Sequence, residues 1–323
     1  MSFASAQALV ADELAAVEQL ILQKIGSTYA PLAEALAGLV RSGGKRVRPT
    51  VALLAARFYP PPSQRALLCL AAAVEALHTA TLVHDDVIDG ALLRRGQSTL
   101  NAVWTPASTV MAGNYFFARA AALAAETGHP RVIQLFAETL NTIVDGELRQ
   151  AFAVRDWGQP KERYYERIYG KTAALFEVAT RSPAVLGNAP PEAEEALRRY
   201  GYHLGMAFQI VDDILDFVAD EKTLGKPAGS DLAAGIITLP VYYYLQDPAR
   251  RDHLVALADG TRHGDAVIAE MVRLIRESDA IAQARAEAEA FAQQAAADLA
   301  MFPPSPHRQA LMDIAEYVVA RPM

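Results

Sequence analysis

Apolar residues recur at three-and-four spacing along most of the chain, the period of an amphipathic helix. The stretches ADELAAVEQLILQKI (11–25) and AIAQARAEAEAFAQQAAADLA (280–300) carry this pattern in strong helix formers. Alternating Val, Ile and Thr bounded by turns is scarce, so the pattern predicts no sheet. Breakers punctuate the helices: Ser42-Gly43-Gly44, Pro60-Pro61-Pro62, Thr127-Gly128-His129-Pro130, Trp157-Gly158-Gln159-Pro160, Asn188-Ala189-Pro190-Pro191, Asp247-Pro248 and Pro303-Pro304-Ser305-Pro306. No gap reads as a flexible linker, and no short repeat is present. The pattern therefore predicts one large all-α domain over residues 1–323.

Two apolar helical blocks end in the same acidic spelling. Leu82-Val83-His84-Asp85-Asp86-Val87-Ile88-Asp89 is echoed by Gln209-Ile210-Val211-Asp212-Asp213-Ile214-Leu215-Asp216. On a helix, residues i and i+4 share a face and i+1 lies about 100° round. Asp85 and Asp89 therefore stack, with Asp86 flanking; Asp212, Asp216 and Asp213 repeat the arrangement. Three like charges on one turn repel, and burial adds to the cost. A cation relieves both. Oxygen ligands without Cys or His suit a hard ion such as Mg²⁺, which usually bridges one or two carboxylates to phosphates. A solvated acidic face is the plain alternative for one copy and explains two copies on apolar helices poorly.

Basic residues follow the acids. Gly90-Ala91-Leu92-Leu93-Arg94-Arg95-Gly96 brings two guanidiniums that either balance charge or grip phosphate in bidentate fashion. Gly43-Gly44-Lys45-Arg46-Val47-Arg48-Pro49 runs from a loop into a helix and reads as a phosphate cradle. Lys171-Thr172 and Lys226 are further candidates.

Composition narrows the classes. The 323 residues hold 30 Lys+Arg against 37 Asp+Glu, a net charge of −7, which gives no electrostatic reason to expect nucleic acid. With 52% hydrophobic residues the chain can bury a sizeable core. A single cysteine, Cys69, excludes a disulfide framework and fits a reducing compartment. The opening helix carries Asp12 and Glu13 and no basic n-region, unlike a signal peptide. The charge-free stretch that follows Arg95 and runs to Ala118 is broken by Gln97, Asn101, Pro106, Gly113 and Asn114, too polar to span a bilayer. A soluble, cytoplasmic protein is expected.

Taken together the chain resembles the trans-type prenyl diphosphate synthases, closest to the long-chain polyprenyl members. The resemblance rests on GGKRVRP (43–49), HTATLVHDDVIDGALLRRG (78–96), DGELRQ (145–150), GKTAALF (170–176), FQIVDDILD (208–216) and GKPAGSDLAAGIITLP (225–240), in order and nearly throughout the chain. It implies antiparallel helices around a deep cavity, usually as a homodimer. It also implies elongation of an allylic diphosphate by isopentenyl diphosphate. Asp85, Asp86 and Asp89 match the first metal motif, and Asp212, supported by Asp213 and Asp216, the second, for about three Mg²⁺ ions with substrate bound. Arg94, Lys171, Thr172, Gln209 and Lys226 match positions that grip the allylic diphosphate. Lys45, Arg48, His78 and Arg95 match the isopentenyl diphosphate site. Lys171 and Lys226 join the aspartates as the expected catalytic set. No nucleophilic Ser or Cys is needed. Ile236 replaces a usual lysine, removing one diphosphate contact, and Asn114 replaces a usual Asp, altering a charge expected near the cavity.

Short-chain relatives commonly place an aromatic four or five residues before the first motif. Here those positions are Thr81 and Ala80, both small, one turn before Asp85, which predicts a product of about C30 to C50. Leu77, and beyond it Val74, Tyr115, Phe116 or Phe117, are deeper stops. A short-chain C15–C20 synthase is the alternative product class. A terpene cyclase or head-to-head synthase fits the second motif poorly, and a regulatory subunit would not keep both. The chain could still be the catalytic half of a heteromer. The product would pass to a membrane.

Overall fold

The computed structural model describes residues 3–23, 29–41, 44–94, 97–152, 156–219, 228–259 and 265–321, with backbone alone at 253, 255–259 and 265. Helices dominate. The described residues fall into two compact units: Met1–Leu140 with Leu175–Gly201 and Ala296–Ile314, and Asn141–Ala174 with Tyr202–Ala295 and Ala315–Met323.

The first unit is built on helix Gln64–Ile88. Ser63 starts it, its hydroxyl accepting from the Ala66 N–H at 3.2 Å and satisfying one of the end donors. Between Leu67 and Ala80 the helix is apolar nearly all round, as a core helix must be. Leu70, Val74 and Leu77 are fully buried, each contributing about 1.5–3 kcal/mol by leaving water. The helix is long and apolar enough to cross a membrane, with mean hydropathy 1.8 over its richest window. Yet 72% of that window is buried inside the protein, so its apolar character is spent on the core.

Helix Pro106–Glu126 packs against it. Thr105 caps its start by accepting from the Ser108 N–H at 3.2 Å, with proline in the first turn where no donor is missed. At Gly113 the His84 ring fills the place of a side chain: a Cβ there would lie 2.2 Å from His84 Nε2. The absent side chain lets His84 Nε2 meet the Val110 carbonyl at 3.1 Å.

The expected absence of strands needs one amendment. Leu93–Arg94 and Gln97–Ser98 form a two-residue antiparallel hairpin, Leu93 opposite Ser98 and Arg94 opposite Gln97. Its strands are far below the length sequence alternation can reveal.

In the second unit, Tyr164, Ile168, Met206, Ile210, Ile214, Leu239, Ala284 and Ala288 form one buried cluster. A second cluster joins Phe217, Ile237, Val241, Tyr244, Met271 and Ile275. Helix Lys161–Ile168 runs into a π-helical turn, Tyr169–Ala173. That turn lies against helix Pro130–Phe152 through a glycine pair. A Cβ on Gly146 would sit 3.0 Å from the Gly170 Cα, and one on Gly170 3.0 Å from both the Gly146 Cα and the Thr142 carbonyl oxygen. Backbone meets backbone here, which explains a glycine in both DGELRQ and GKTAALF.

Candidate active site

The first unit gathers one group of the predicted residues. Asp85 and Asp89 end helix Gln64–Ile88, Asp85 half-buried and Asp89 exposed at the C-cap. Asp86, flanking as the spacing predicts, is buried. Its Oδ1 accepts from Arg94 Nε at 2.7 Å, and its carbonyl accepts from Asn101 Nδ2 at 3.2 Å. Burial raises the Asp86 carboxyl above its ordinary range, Arg94 pulls it down, and Asp89 adds a smaller upward push. The hairpin is what presents Arg94 to the cluster.

Lys45 and Arg48 flank the start of helix Val47–Ala55, whose residues are all buried. Lys45 is exposed, and its carbonyl accepts from Gln7 Nε2 at 2.8 Å. Arg48 is buried, its guanidinium 4.5 Å over the Phe176 ring and its Nη1 3.2 Å from His78 Nε2. Between them stands Arg46 in the left-handed region, φ 48° and ψ 38°, a conformation that costs an L-residue with a side chain about 1–2 kcal/mol. Arg46 Nη1 donates to Glu75 Oε1 at 2.6 Å, and Nη2 donates to the Val40 carbonyl.

The second unit gathers the rest. The π turn carries Lys171 and Thr172; such turns insert one residue into a helix and recur at functional sites. Thr172 Oγ1 donates to Gln209 Oε1, Gln209 Nε2 donates to Asp213 Oδ1 at 2.7 Å, and Tyr164 donates to Asp213 Oδ2 at 2.8 Å. Asp213 is buried, and desolvation, with the charge of Asp231, pushes its carboxyl up to about 7 against the pull of Arg167, Gln209 and Tyr164. Asp216 is also buried. Its Oδ1 accepts from Ser230 Oγ at 2.7 Å, its Oδ2 from the Asp231 N–H at 3.1 Å, and its carbonyl from the Gly229 N–H at 2.7 Å. Asp212 is the most exposed carboxylate of this cluster, at 41% of its side chain. Arg321 Nη1 donates to its Oδ1 at 2.7 Å, while Nη2 and Nε donate to the Phe208 and Val318 carbonyls at 3.1 Å. The guanidinium lies 4.1 Å over the Phe208 ring.

Arg95 and Lys226 lie outside the described residues. Ala80 and Leu77 are fully buried; Thr81 is half-buried, its hydroxyl donating to the His78 carbonyl at 2.8 Å. Val74 and Phe116 are buried, and Tyr115 accepts from Arg119. Ile236 is half-buried. Asn114 is exposed on helix Pro106–Glu126, two residues from buried Phe116.

Among the described residues no three His, Cys, Asp or Glu side chains close into a metal cage. Mg²⁺ dehydrates reluctantly and usually takes one or two carboxylates plus phosphate oxygens. Asp85 with Asp89 in one centre, and Asp212 in the other, are the oxygen donors of the right chemistry and exposure. Sequence reasoning passed over Arg46, Glu75, Tyr164, Ser230 and Arg321. Arg46 and Ser230 sat within quoted motifs; Glu75, Tyr164 and Arg321 announce themselves through partners distant along the chain.

A family model described as Polyprenyl synthetase matches residues 30–275. Heptaprenyl diphosphate synthase component 2 of Geobacillus stearothermophilus is 39% identical over 321 residues, covering 99% of each chain. The crystal structure of a polyprenyl synthase from Caulobacter crescentus, complexed with calcium and isoprenyl diphosphate, is 37% identical, with a TM-score of 0.93 over 99% of this chain and 98% of that one. A decaprenyl diphosphate synthase structure from Rhodobacter capsulatus is 37% identical, with a TM-score of 0.91 over 99% of both chains.

Proposed function

The chain belongs to the polyprenyl synthetase family, and on that premise we propose how its residues divide the work of an all-α prenyltransferase that elongates an allylic diphosphate with isopentenyl diphosphate. The product is a long-chain all-trans polyprenyl diphosphate, in keeping with the heptaprenyl and decaprenyl names of its relatives.

Lys45, Arg48 and His78, with Arg95, hold the diphosphate of isopentenyl diphosphate. Arg94, Lys171, Thr172 and Gln209, with Lys226, hold that of the allylic substrate. The metal is Mg²⁺, carried by Asp85 and Asp89 in the first unit and by Asp212 in the second. When bound, Mg²⁺ neutralises charge on the departing diphosphate. The cationic side chains share that task, so the allylic C1–O bond breaks with its electron pair leaving on diphosphate. The C4 alkene carbon of isopentenyl diphosphate then bonds to C1, and a C2 proton passes to the released diphosphate, restoring an alkene. Water must be excluded meanwhile, which suits the wholly buried apolar face of helix Gln64–Ile88. Asp86, Asp213 and Asp216 serve by holding the surrounding residues.

Product length is assigned to Ala80, Thr81 and Leu77. The small buried side chain of Ala80, one turn before the acidic cluster, carries this reading. Ala80→Phe should shorten the product from about C30–C50 to C15–C20, read by thin-layer chromatography. Wild-type protein making only C15–C20 would refute it.

The chain acts as a homodimer in this proposal. Met111, Ala118 and Ala122 share one exposed face of helix Pro106–Glu126 and offer it an apolar contact. A second reading, catalytic half of a heteromer, is favoured by the component 2 name of one relative. Purified chain with Mg²⁺, farnesyl diphosphate and labelled isopentenyl diphosphate decides between them. Extension by the chain alone supports the homodimer; activity only with a second component supports the heteromer.

A further inference from the structure

Among the described residues, Arg46 and Asn188 are the two non-glycine positions with positive φ. Asn tolerates that region through its short polar side chain; Arg has no such excuse. Strain of this kind persists only where the surroundings over-determine it, and it clusters at functional sites. Here the surroundings are specific. The Arg46 guanidinium pairs with Glu75, itself buried, at 2.6 Å and also donates to the Val40 carbonyl. The Arg46 carbonyl accepts from Thr50 Oγ1 at 2.6 Å and from the Thr50 N–H at 3.1 Å.

The turn at Arg46 separates two fates. Lys45 before it stays exposed, while Arg48 after it enters a fully buried helix. Glu75 lies one helical turn before His78, on the same face of helix Gln64–Ile88. Arg46–Glu75 and Arg48···His78 are therefore adjacent rungs between the same two elements. The first rung fixes the spacing of the second. It also fixes where Lys45 and Arg48 stand relative to the helix that ends in Asp85 and Asp89.

We propose that Arg46 is a positioning residue for isopentenyl diphosphate: its ion pair with Glu75 holds the left-handed turn that presents Lys45 and Arg48 together. This rests on the reading that Lys45 and Arg48 bind that substrate. Arg46→Ala should raise KM for isopentenyl diphosphate about tenfold and leave KM for farnesyl diphosphate within about twofold. Glu75→Gln should do the same in direction. Arg46→Gly removes the anchor but relieves the backbone, so it should recover thermal stability relative to Arg46→Ala while the raised KM remains. Isothermal titration of the full chain with isopentenyl diphosphate and Mg²⁺ should give a matching rise in Kd. If Arg46→Gly has wild-type KM and Kd, or if both substrates' KM values rise together, the positioning role is overturned. If instead Lys45→Ala and Arg48→Ala leave KM for isopentenyl diphosphate unchanged, the underlying site assignment falls.

Discussion

The two aspartate clusters share a spelling and differ in how their carboxylates are spent. In the first, Asp86 is buried against Arg94, while Asp85 and Asp89 keep the face that helical geometry gave them, half-buried and exposed. In the second, Asp213 is buried between Tyr164 and Gln209, and Asp216 holds Ser230 and the Asp231 N–H. Asp212 remains the most exposed of its three and meets Arg321. The i, i+1, i+4 spacing fixes the helical face but not what packs on it. A buried carboxylate needs hydrogen-bond donors, and once it has them it acts as a strut. Each cluster also has a carboxylate paired with an arginine, Asp86 in the first and Asp212 in the second.

This contrast can be broken by graded substitutions. The largest effect should follow Asp89→Ala, an expected loss in kcat of about 10³-fold, since it removes metal-borne charge neutralisation worth several kcal/mol. Asp212→Asn should cost about 10²-fold and raise the Mg²⁺ concentration for half-maximal rate, because it weakens one ligand and removes none of the first pair. Both are read by incorporation of labelled isopentenyl diphosphate. Asp216→Asn should leave turnover within about tenfold yet lower the thermal midpoint by about 3–10 °C, from the loss of charge-assisted hydrogen bonds. A loss in turnover as large as that of Asp89→Ala, without a change in midpoint, would return Asp216 to the metal ligands. Smallest is Tyr164→Phe, which removes one of two side-chain donors to Asp213. It should lower the midpoint by about 2–4 °C and change kcat less than about threefold.

Much of this was legible along the chain. The three-and-four spacing gives the helices, and the acids land on the faces it predicts. The π turn at Tyr169–Ala173 was not legible, because it is one inserted residue in a sequence that reads as ordinary helix. Nor was the left-handed Arg46: the positive φ falls on a charged residue two positions after Gly44, held by a glutamate 29 residues away. Gln209 stands one turn before Asp213 on the same helix, but Tyr164, Ser230 and Asp231 stand on other elements, beyond any local period.

The contacts of Asp212 and Asp216 also differ in the length of chain they enclose. Ser230 lies 14 residues after Asp216, whereas Arg321 lies 109 after Asp212. A loop roughly eight times longer costs about 2 kcal/mol more in closure entropy and is searched more slowly. On that ground the Asp216–Ser230 contact should form before Arg321 reaches Asp212. Refolding should restore the second acidic cluster in two kinetic stages, the exposed carboxylate meeting its counter-charge last.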